Sequence, residues 1–312
     1  MSAGLAPIII FVYRREIGGL ISELKRDPLS SQSDLIIFSD GGKNSEDSAD
    51  VLKVRSTLKE VNGFKSVRIV ESPRNKGLAA SIIDGVTDVI TQYGKVIVLE
   101  DDLMVADDFL KYMNDALDFY EQDPKIWSIA GYSANLPCLE TYTKDVYLAP
   151  RVNSWGWATW RDRWEKIDWE IKDWEKVKRD KSLQQQFNEG GNDLFRMLEL
   201  QMLGKIDSWA IRWSYNQFMY RMYTVYPAVS KVSNEGFSDD KGMHNNATEH
   251  GKWLVGLQGN RPLICEKLDV DPVVIACFKK YYDLGFKTDV GYFLKKYGGY
   301  GIAKKMMRVM RK

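Results

Sequence analysis

The amino-acid sequence predicts an α/β fold in which helices flank a mostly parallel central sheet, followed by a region of helices and loops. Over the first 130 residues, short β-branched apolar runs alternate with segments of helical periodicity, and this alternation is typical of βαβ units. The chain has 312 residues, of which 44% are hydrophobic and 28% charged. This composition argues against disorder and is that of a globular protein large enough to bury a full core.

Five strands and four helices are predicted in order along this first part. The strand pattern is a continuous apolar run such as Ile8–Tyr13, which fits a parallel strand buried on both faces. The helix pattern is an apolar residue at every third or fourth position. The predicted strands are Ile8–Tyr13, Asp34–Ser39, Ser66–Glu71, Lys95–Leu99 and Ile126–Ala130, and the predicted helices are Ile17–Lys25, Asp47–Val61, Leu78–Ile90 and Phe109–Tyr120. Ligands bind beyond the carboxyl ends of such strands, so we expect the site there.

The composition changes near residue 150, where tryptophans become frequent. Nine of the ten tryptophans lie in the stretch from 127 to 213. Helices are predicted over Asp193–Leu203 and Ile211–Tyr220, with further short helices from Pro272 onward. We therefore divide the chain into three regions, of which the first two belong to the same domain. The regions are 1–150, 151–271 and 272–312.

Net charge and cysteine content exclude several classes of function. The formal net charge is +1, without the basic excess of a dedicated nucleic-acid-binding protein. The three cysteines have no CxxC spacing, which argues against a disulfide framework and fits a reducing compartment. No apolar run approaches the roughly 20 residues of a transmembrane helix, and the first run is too short for a signal peptide. A cytoplasmic protein is expected.

The sharpest motif is Glu100-Asp101-Asp102, directly after the fourth predicted strand. Three carboxylates at the end of a buried strand are costly unless a cation or donor groups meet them. Mg²⁺ and Mn²⁺ both take oxygen ligands from carboxylates and substrate phosphates, so the motif predicts a divalent metal site. The alternative is that acids collect before a helix N-terminus, as Asp107 and Asp108 do before the next predicted helix.

Residues 95–127, which read KVIVLEDDLMVADDFLKYMNDALDFYEQDPKIW, resemble the stretch around the DXD motif of GT-A glycosyltransferases. They look like N-acetylglucosaminyltransferase I and the bacterial family-2-like sugar transferases. The segments RNKGLA before this stretch, and GWATW and SNEGFSDD after it, extend the resemblance to roughly residues 6–245. The resemblance implies a GT-A fold and an inverting, metal-dependent transfer of sugar from a nucleotide-diphospho-sugar, with a UDP-sugar as the first candidate. It implies a glycan acceptor in surface polysaccharide or lipid-linked oligosaccharide synthesis.

The resemblance also implies a role for several residues at this edge of the sheet. Asp102 would be the protein ligand of the metal, Asp101 would approach the ribose, and Glu100 would face the donor sugar or the acceptor. Arg14 and Asp40 would address the nucleotide base and the nearby phosphate. From the residues alone, Arg14 fits a solvated helix start equally well, and Asp40 fits a turn residue or a helix cap.

Four further residues are candidates for binding the donor or the metal. Lys76, in the segment NKGL, falls where the family contacts the nucleotide. Trp155 and Trp157 flank a glycine and could form a wall for the donor or the acceptor, because aromatic faces stack on sugar rings. Packing in the core is the alternative for either tryptophan. His244, at the end of a possible lid over 234–244, could reach the metal or the diphosphate, or it is an exposed loop histidine.

Inverting transfer needs a general base for the acceptor hydroxyl, and Asp207 is the first candidate. It precedes Ser208 and Trp209 at the start of a predicted helix, and the related enzymes place a base Asp just before a Trp in this region. An N-cap role is the alternative, since Asp is a favoured cap residue. Asp162 and Asp193, which also lie near predicted helix starts, are rival candidates.

Two other functions and one membrane contact are left open by the sequence. A sugar-1-phosphate nucleotidyltransferase would have a Gly-rich loop after the first strand, where this chain has Tyr13-Arg14-Arg15-Glu16. A non-catalytic glycan-binding module would use the tryptophans without the acidic motif. The basic helix predicted over 298–312 could lie on anionic lipid at the inner face of a membrane. By resemblance, 1–150 would bind the nucleotide-sugar, 151–271 would face the acceptor, and 272–312 would form C-terminal helices.

Overall fold

The computed structural model describes residues 4–237, 257, 263–283 and 296. The described elements alternate between strands and helices up to residue 130, as the sequence predicts. The strands are β1 Ile8–Val12, β2 Asp34–Ser39, β3 Ser66–Glu71, β4 Lys95–Glu100, β5 Leu103–Val105, β6 Ile126–Ala130, β7 Val146–Ala149, β8 Trp157–Trp160, β9 Tyr223–Pro227 and β10 Val232–Asn234. The helices are α1 Gly18–Leu24, α2 Ser45–Leu58, α3 Leu78–Tyr93, α4 Phe109–Tyr120, α5 Arg161–Trp164, α6 Trp174–Arg179, α7 Lys181–Phe187, α8 Leu194–Met202, α9 Trp209–Met219 and α10 Pro272–Tyr281.

Eight strands form the main sheet, in the order β3-β2-β1-β4-β8-β6-β9-β7. The strands β1 to β4 are parallel to one another. β1 lies between β2 and β4, and β3 lies beyond β2. Their carboxyl ends therefore meet at one edge, which is where open parallel sheets bind ligands. The strands β5 and β10 pair separately and antiparallel. This small ladder directly follows the carboxyl end of β4 in the chain.

Helices cover both faces of the main sheet and bury two apolar clusters. The side chains of β1 alternate between them: Ile8 and Ile10 join one cluster, and Ile9 and Phe11 join the other. Because both faces are buried, the strand is apolar at every position. Helix α3 supplies Ile82 and other apolar residues to the second cluster. It is 16 residues long, and no described helix is long and apolar enough to cross a membrane.

Sequence and structure differ after residue 150. The region 151–271 was predicted to contain helices and loops, but β8 and β9 lie in it and belong to the main sheet. The strand β8 inserts antiparallel between β4 and β6. All four of its residues are buried, and its tryptophans Trp157 and Trp160 pack on opposite faces. This strand has only four residues, which is too short for either a continuous apolar run or an alternating pattern to be recognised in its sequence.

Helix α10 packs against the body of the domain near the short helical turn Pro137–Thr141. The side chain of Asp271 accepts from the backbone N–H of Val273 and so caps this helix. Cys277 on α10 lies beside Cys138 on the turn. Burial and a hydrogen bond with Cys277 raise the pKa of Cys138 to about 12. Two of three cysteines that the sequence scatters are therefore neighbours, and both are free thiols.

Candidate active site

The acidic motif lies at the carboxyl end of β4, next to the carboxyl end of β1. Glu100 is the last residue of β4 and is in register with Phe11 of β1. Asp101 and Asp102 form the turn before β5 begins at Leu103. The fold thus brings this motif to the edge of the sheet where the sequence analysis expected a ligand.

The carboxyl groups of Glu100 and Asp101 are harder to ionise than free ones, chiefly because they are buried. Burial, with the charges of Asp102 and Asp101, raises the pKa of Glu100 well above its usual range. Burial also raises the pKa of Asp101 to about 6, and the charge of Asp102 adds to the rise. A hydrogen bond from the backbone of Tyr13 and the charge of Arg15 act in the opposite direction. The ionised forms of these acids are therefore disfavoured in the protein alone, and a bound cation would favour them.

The carboxylates of Asp101 and Asp102 contact different parts of the protein. Asp101 Oδ2 accepts the backbone N–H of Tyr13 at 2.9 Å and so faces the end of β1. Asp102 faces the segment after β10, because a Cβ atom placed on Gly236 would lie 2.6 Å from Asp102 Oδ2. Within the described residues, no three His, Cys, Asp or Glu side chains form a metal-binding group. The carboxylates of Asp101 and Asp102 are oxygen donors of the kind that a divalent ion takes, one or two from the protein, when phosphate and water supply its other ligands.

Arg14 lies after β1 and is held by acids of helix α2. Its guanidinium forms an ion pair with Asp47, and a second carboxylate, that of Asp50, lies 3.8 Å away. The hydroxyl of Tyr13 donates to Asp47 at 2.7 Å. Burial and this hydrogen bond raise the pKa of Tyr13. The sequence analysis identified Arg14 but missed Tyr13 and Asp47, whose signal would have been an aromatic residue beside Arg14 and an acid in the first turn of α2.

The carboxylate of Asp40 joins the loop after β2 to the loop before α3. Its two oxygens accept from the backbone N–H groups of Gly41, Lys76 and Gly77, and from the side-chain amide of Asn75, at 2.9–3.0 Å. These four bonds match the roughly four acceptor positions of a carboxylate. A nucleotide base at Asp40 would have to compete with them. The predicted contact of Asp40 with the base stays a prediction.

Lys76 has its side chain on the surface, beside the first turns of α3. The ammonium lies 2.9 Å from Asp84 Oδ2, and the side chain is 42% exposed. An exposed ion pair of this kind contributes little to stability, so a competing phosphate could separate it. The role of Lys76 toward the nucleotide stays a prediction.

The structure separates the two tryptophans that were predicted to line the donor or acceptor site. Trp157 is 0% exposed, and its ring lies 4.4 Å from that of Trp213 and 5.2 Å from that of Trp209. The prediction for Trp157 was therefore wrong, because a ring enclosed by other rings has no face for a sugar. Trp155 is half-buried and packs edge-to-face on Tyr132. Its role as a wall of the site stays a prediction.

The glycine that follows Trp155 lies in close contact with β4 and β10. Gly156 has a φ of 63°, which L side chains rarely adopt, and a Cβ atom there would lie 2.6 Å from a Val232 methyl group. Its next contact, at 3.3 Å, would be with Leu99, the residue before Glu100. The glycine thus allows the chain to pass closely between β4 and β10. Trp155, the residue before this glycine, therefore lies next to the contact between β4 and β10.

The three candidates for the general base have different surroundings. Asp207 is 70% exposed, and its carboxylate lies 3.5 Å from Arg212. The alternative that Asp207 caps α9 was wrong, because the side chain of Ser208 accepts from Ile211 N–H instead. Asp162 is 56% exposed and pairs with Arg163. Asp193 is 9% exposed and forms an ion pair with Arg151, so an acceptor cannot reach its carboxylate.

His244 and most of the possible lid lie outside the described residues, as does the basic segment 298–312. The beginning of the predicted lid is described. Residues 234–236 lie against the acidic turn, and the backbone N–H of Glu235 donates to the carbonyl of Asp102 at 2.8 Å. This segment therefore belongs to the site. The sequence analysis named it only as a lid.

The fold and the site are those that the resemblance to GT-A glycosyltransferases implies, because a large central sheet is flanked by helices and carries acids at the carboxyl end of β4. The sequence matches the GNT-I family over residues 23–194, which is more than half of the chain. The chain therefore belongs to the GNT-I family. No protein with a curated description matches it.

Several solved structures are similar to the chain, all at low identity. A mannosyltransferase from Pyrobaculum calidifontis, solved with GDP-Man and Mn²⁺, is 12% identical over 52% of this chain and 48% of its own, with a TM-score of 0.34. Glucosyl-3-phosphoglycerate synthase from Mycobacterium tuberculosis, solved with Mg²⁺ and UDP, is 12% identical over 52% and 58%, with a TM-score of 0.31. A UDP-glucose pyrophosphorylase with UDP-glucose is 13% identical over 52% and 78%, also at 0.31. The chain thus spans about half the length of the first of these proteins.

Proposed function

We propose that this glycosyltransferase is metal-dependent and inverting, and that it moves a sugar from a nucleotide-diphospho-sugar to a glycan acceptor. The observation that carries the proposal is the set of three carboxylates at the carboxyl end of β4. Burial, together with the charge of neighbouring acids, raises the pKa of Glu100 and of Asp101, so the ionised forms of these groups gain from a cation. A nucleoside diphosphate brings further oxygen ligands for the same cation.

The metal would be Mn²⁺ or Mg²⁺, held on the protein side by Asp102. When bound, it would stabilise the negative charge of the departing diphosphate without proton transfer. Asp101, which already faces the end of β1, would approach the ribose. Glu100 would face the donor sugar or the acceptor. His244, as a possible further ligand, lies outside the described residues.

The rest of the donor would lie along the loops after β1, β2 and β3. Arg14 would address the phosphate, because its guanidinium remains 34% exposed in spite of its ion pair. Lys76 would offer a second cation, since its own ion pair with Asp84 is exposed. Asp40 would contact the base or would shape the loops around it. A UDP-sugar is the first donor to test.

On the acceptor side, Asp207 would remove the proton of the attacking hydroxyl. Its exposed carboxylate is open to an acceptor and lies 3.5 Å from the guanidinium of Arg212. Trp155 would give the acceptor or the donor sugar an aromatic wall. We propose an acceptor from surface polysaccharide or lipid-linked oligosaccharide synthesis, on the cytoplasmic side of a membrane.

Calorimetric binding of nucleotides tests the metal site. UDP, GDP and other nucleoside diphosphates are titrated with Mn²⁺ or with EDTA into the wild type and into Asp102→Ala. We expect Mn²⁺-dependent binding of one nucleotide, weakened at least about 100-fold in Asp102→Ala because a direct ligand of the metal is lost. The matched control is Asp88→Ala, which removes an exposed acid of α3 that pairs with Arg68 of β3. Wild-type protein that binds no nucleotide with Mn²⁺ present would contradict the proposal.

A further inference from the structure

The first observation concerns how the segment after β10 reaches the acidic turn. The strands β5 and β10 pair antiparallel, with Leu103 in register with Asn234. One residue beyond this pair on each strand, the backbone N–H of Glu235 donates to the carbonyl of Asp102 at 2.8 Å. The pairing of these two strands therefore continues onto the acidic turn, and it fixes the backbone of Asp102.

The second observation is a buried amide that shapes the end of this segment. Asn234 is 3% exposed, and its Oδ1 accepts the backbone N–H of Gly236 at 2.7 Å. A side chain that bonds to the backbone two residues ahead forms an Asx turn. The turn bends the chain after β10 back toward the turn between β4 and β5, which brings Gly236 beside Asp102.

The third observation is that Gly236 leaves no space for a side chain. A Cβ atom on this residue would lie 2.6 Å from Asp102 Oδ2, 2.9 Å from Asn234 Oδ1 and 3.3 Å from Asp102 Cβ. Its φ angle lies outside the left-handed region, so an alanine could adopt this backbone. Glycine is thus required here by the closeness of the Asp102 carboxylate and not by backbone conformation.

We propose that Asn234 and Gly236 are positioning residues that set the orientation of the Asp102 carboxylate for the metal. This inference rests on the proposed function, since it needs Asp102 as the metal ligand. A carboxylate confined by a backbone segment binds a metal in a fixed direction, and groups that orient a ligand contribute to metal affinity without touching the ion. Neither residue contacts the donor in this role.

The decisive variant is Gly236→Ala. The new methyl group would displace the Asp102 carboxylate, whose Oδ2 is the nearest atom, and would so move the oxygen that binds the metal. We expect Mn²⁺ to bind about 10- to 100-fold more weakly in the presence of UDP or GDP, measured by electron paramagnetic resonance of free Mn²⁺. The urea midpoint of unfolding should stay at the wild-type value.

A matched control and a second variant complete this test. Gly18→Ala adds a methyl group at a position where nothing lies within 4 Å, and it should bind Mn²⁺ as the wild type does. Asn234→Ala should weaken Mn²⁺ binding as Gly236→Ala does, and Asn234→Ser, which keeps an acceptor oxygen, should recover part of it. Gly236→Ala that binds Mn²⁺ within twofold of the wild type would overturn this inference alone. Wild-type protein that binds no Mn²⁺ with either nucleotide would overturn the proposed function as well.

Discussion

Asp207→Asn is expected to keep donor binding and to lose about 10²- to 10⁴-fold in turnover, the range that a general base contributes. The amide has nearly the same size as the carboxylate but does not accept a proton at neutral pH. The 70% exposure of Asp207 means that the substitution leaves packing unchanged. The measurement is the rate of sugar transfer at saturating donor, with the donor affinity determined separately by calorimetry.

Asp162→Asn is the matched control for this experiment. Asp162 is also an exposed acid near a helix start, but its partner is Arg163. The guanidinium of Arg163 donates to the carbonyl of Ile126 at the start of β6 and to that of Glu121 after α4. We expect near-normal turnover in this variant. Near-normal turnover in Asp207→Asn would remove Asp207 from the role of base, and a selective loss in Asp162→Asn would transfer that role to Asp162.

Arg151→Met is expected to destabilise the fold by about 3–5 kcal/mol, the cost of leaving one partner of a buried ion pair alone. The guanidinium donates to both oxygens of Asp193, at 2.7 and 2.8 Å, and also to the carbonyl of Gly190. The two side chains are only 15% and 9% exposed. Burial alone would lower the pKa of Arg151. The charge and hydrogen bonds of Asp193 outweigh this effect, so the pKa is raised overall.

The free energy of unfolding in urea measures this effect. The control is Arg179→Met, which removes the cation of an exposed pair with Glu175 and should change stability by less than about 1 kcal/mol. A double variant, Arg151→Met with Asp193→Leu, should recover part of the loss because no buried charge then remains. A loss in Arg151→Met no larger than that in Arg179→Met would show that the pair contributes little.

The pair also connects distant parts of the chain. Arg151 follows β7, Asp193 precedes α8, and the guanidinium stacks 4.2 Å from the ring centre of Tyr282 at the end of α10. Without this contact, we expect the local opening of α10 to become easier, whereas the strands of the sheet stay protected. Faster hydrogen exchange over 272–281 in Arg151→Met would be the sign of this.

Much of the fold could be predicted from the sequence, because it depends on local patterns. The strands Asp34–Ser39, Ser66–Glu71 and Ile126–Ala130 and the helix Phe109–Tyr120 have the predicted bounds. In each case, apolar periodicity and flanking turn residues act over a few positions. The strands β5, β7 and β10, of three or four residues, are too short for periodicity to be visible.

The location of the site could also be predicted, but its internal contacts could not. The sequence by itself determined that Glu100, Asp101 and Asp102 stand at the carboxyl end of a buried parallel strand, because βαβ alternation makes the strands parallel and places their carboxyl ends at one edge. Whether an acid is free for chemistry depends on partners from elsewhere in the chain. In the sequence, Asp193 and Asp207 are both acids near the start of a predicted helix, and nothing in that pattern shows which of them is exposed.

Only the tertiary structure decided that Trp157 belongs to the core, that Arg151 captures Asp193, and that Gly236 lies against Asp102. The physical reason is the same in all three cases. Local propensity records what a residue prefers among its neighbours in sequence, whereas burial, ion pairing and close approach are set by residues that folding brings from distant positions. The sequence determined the sheet and the position of its acids, and packing determined which side chains remain available there.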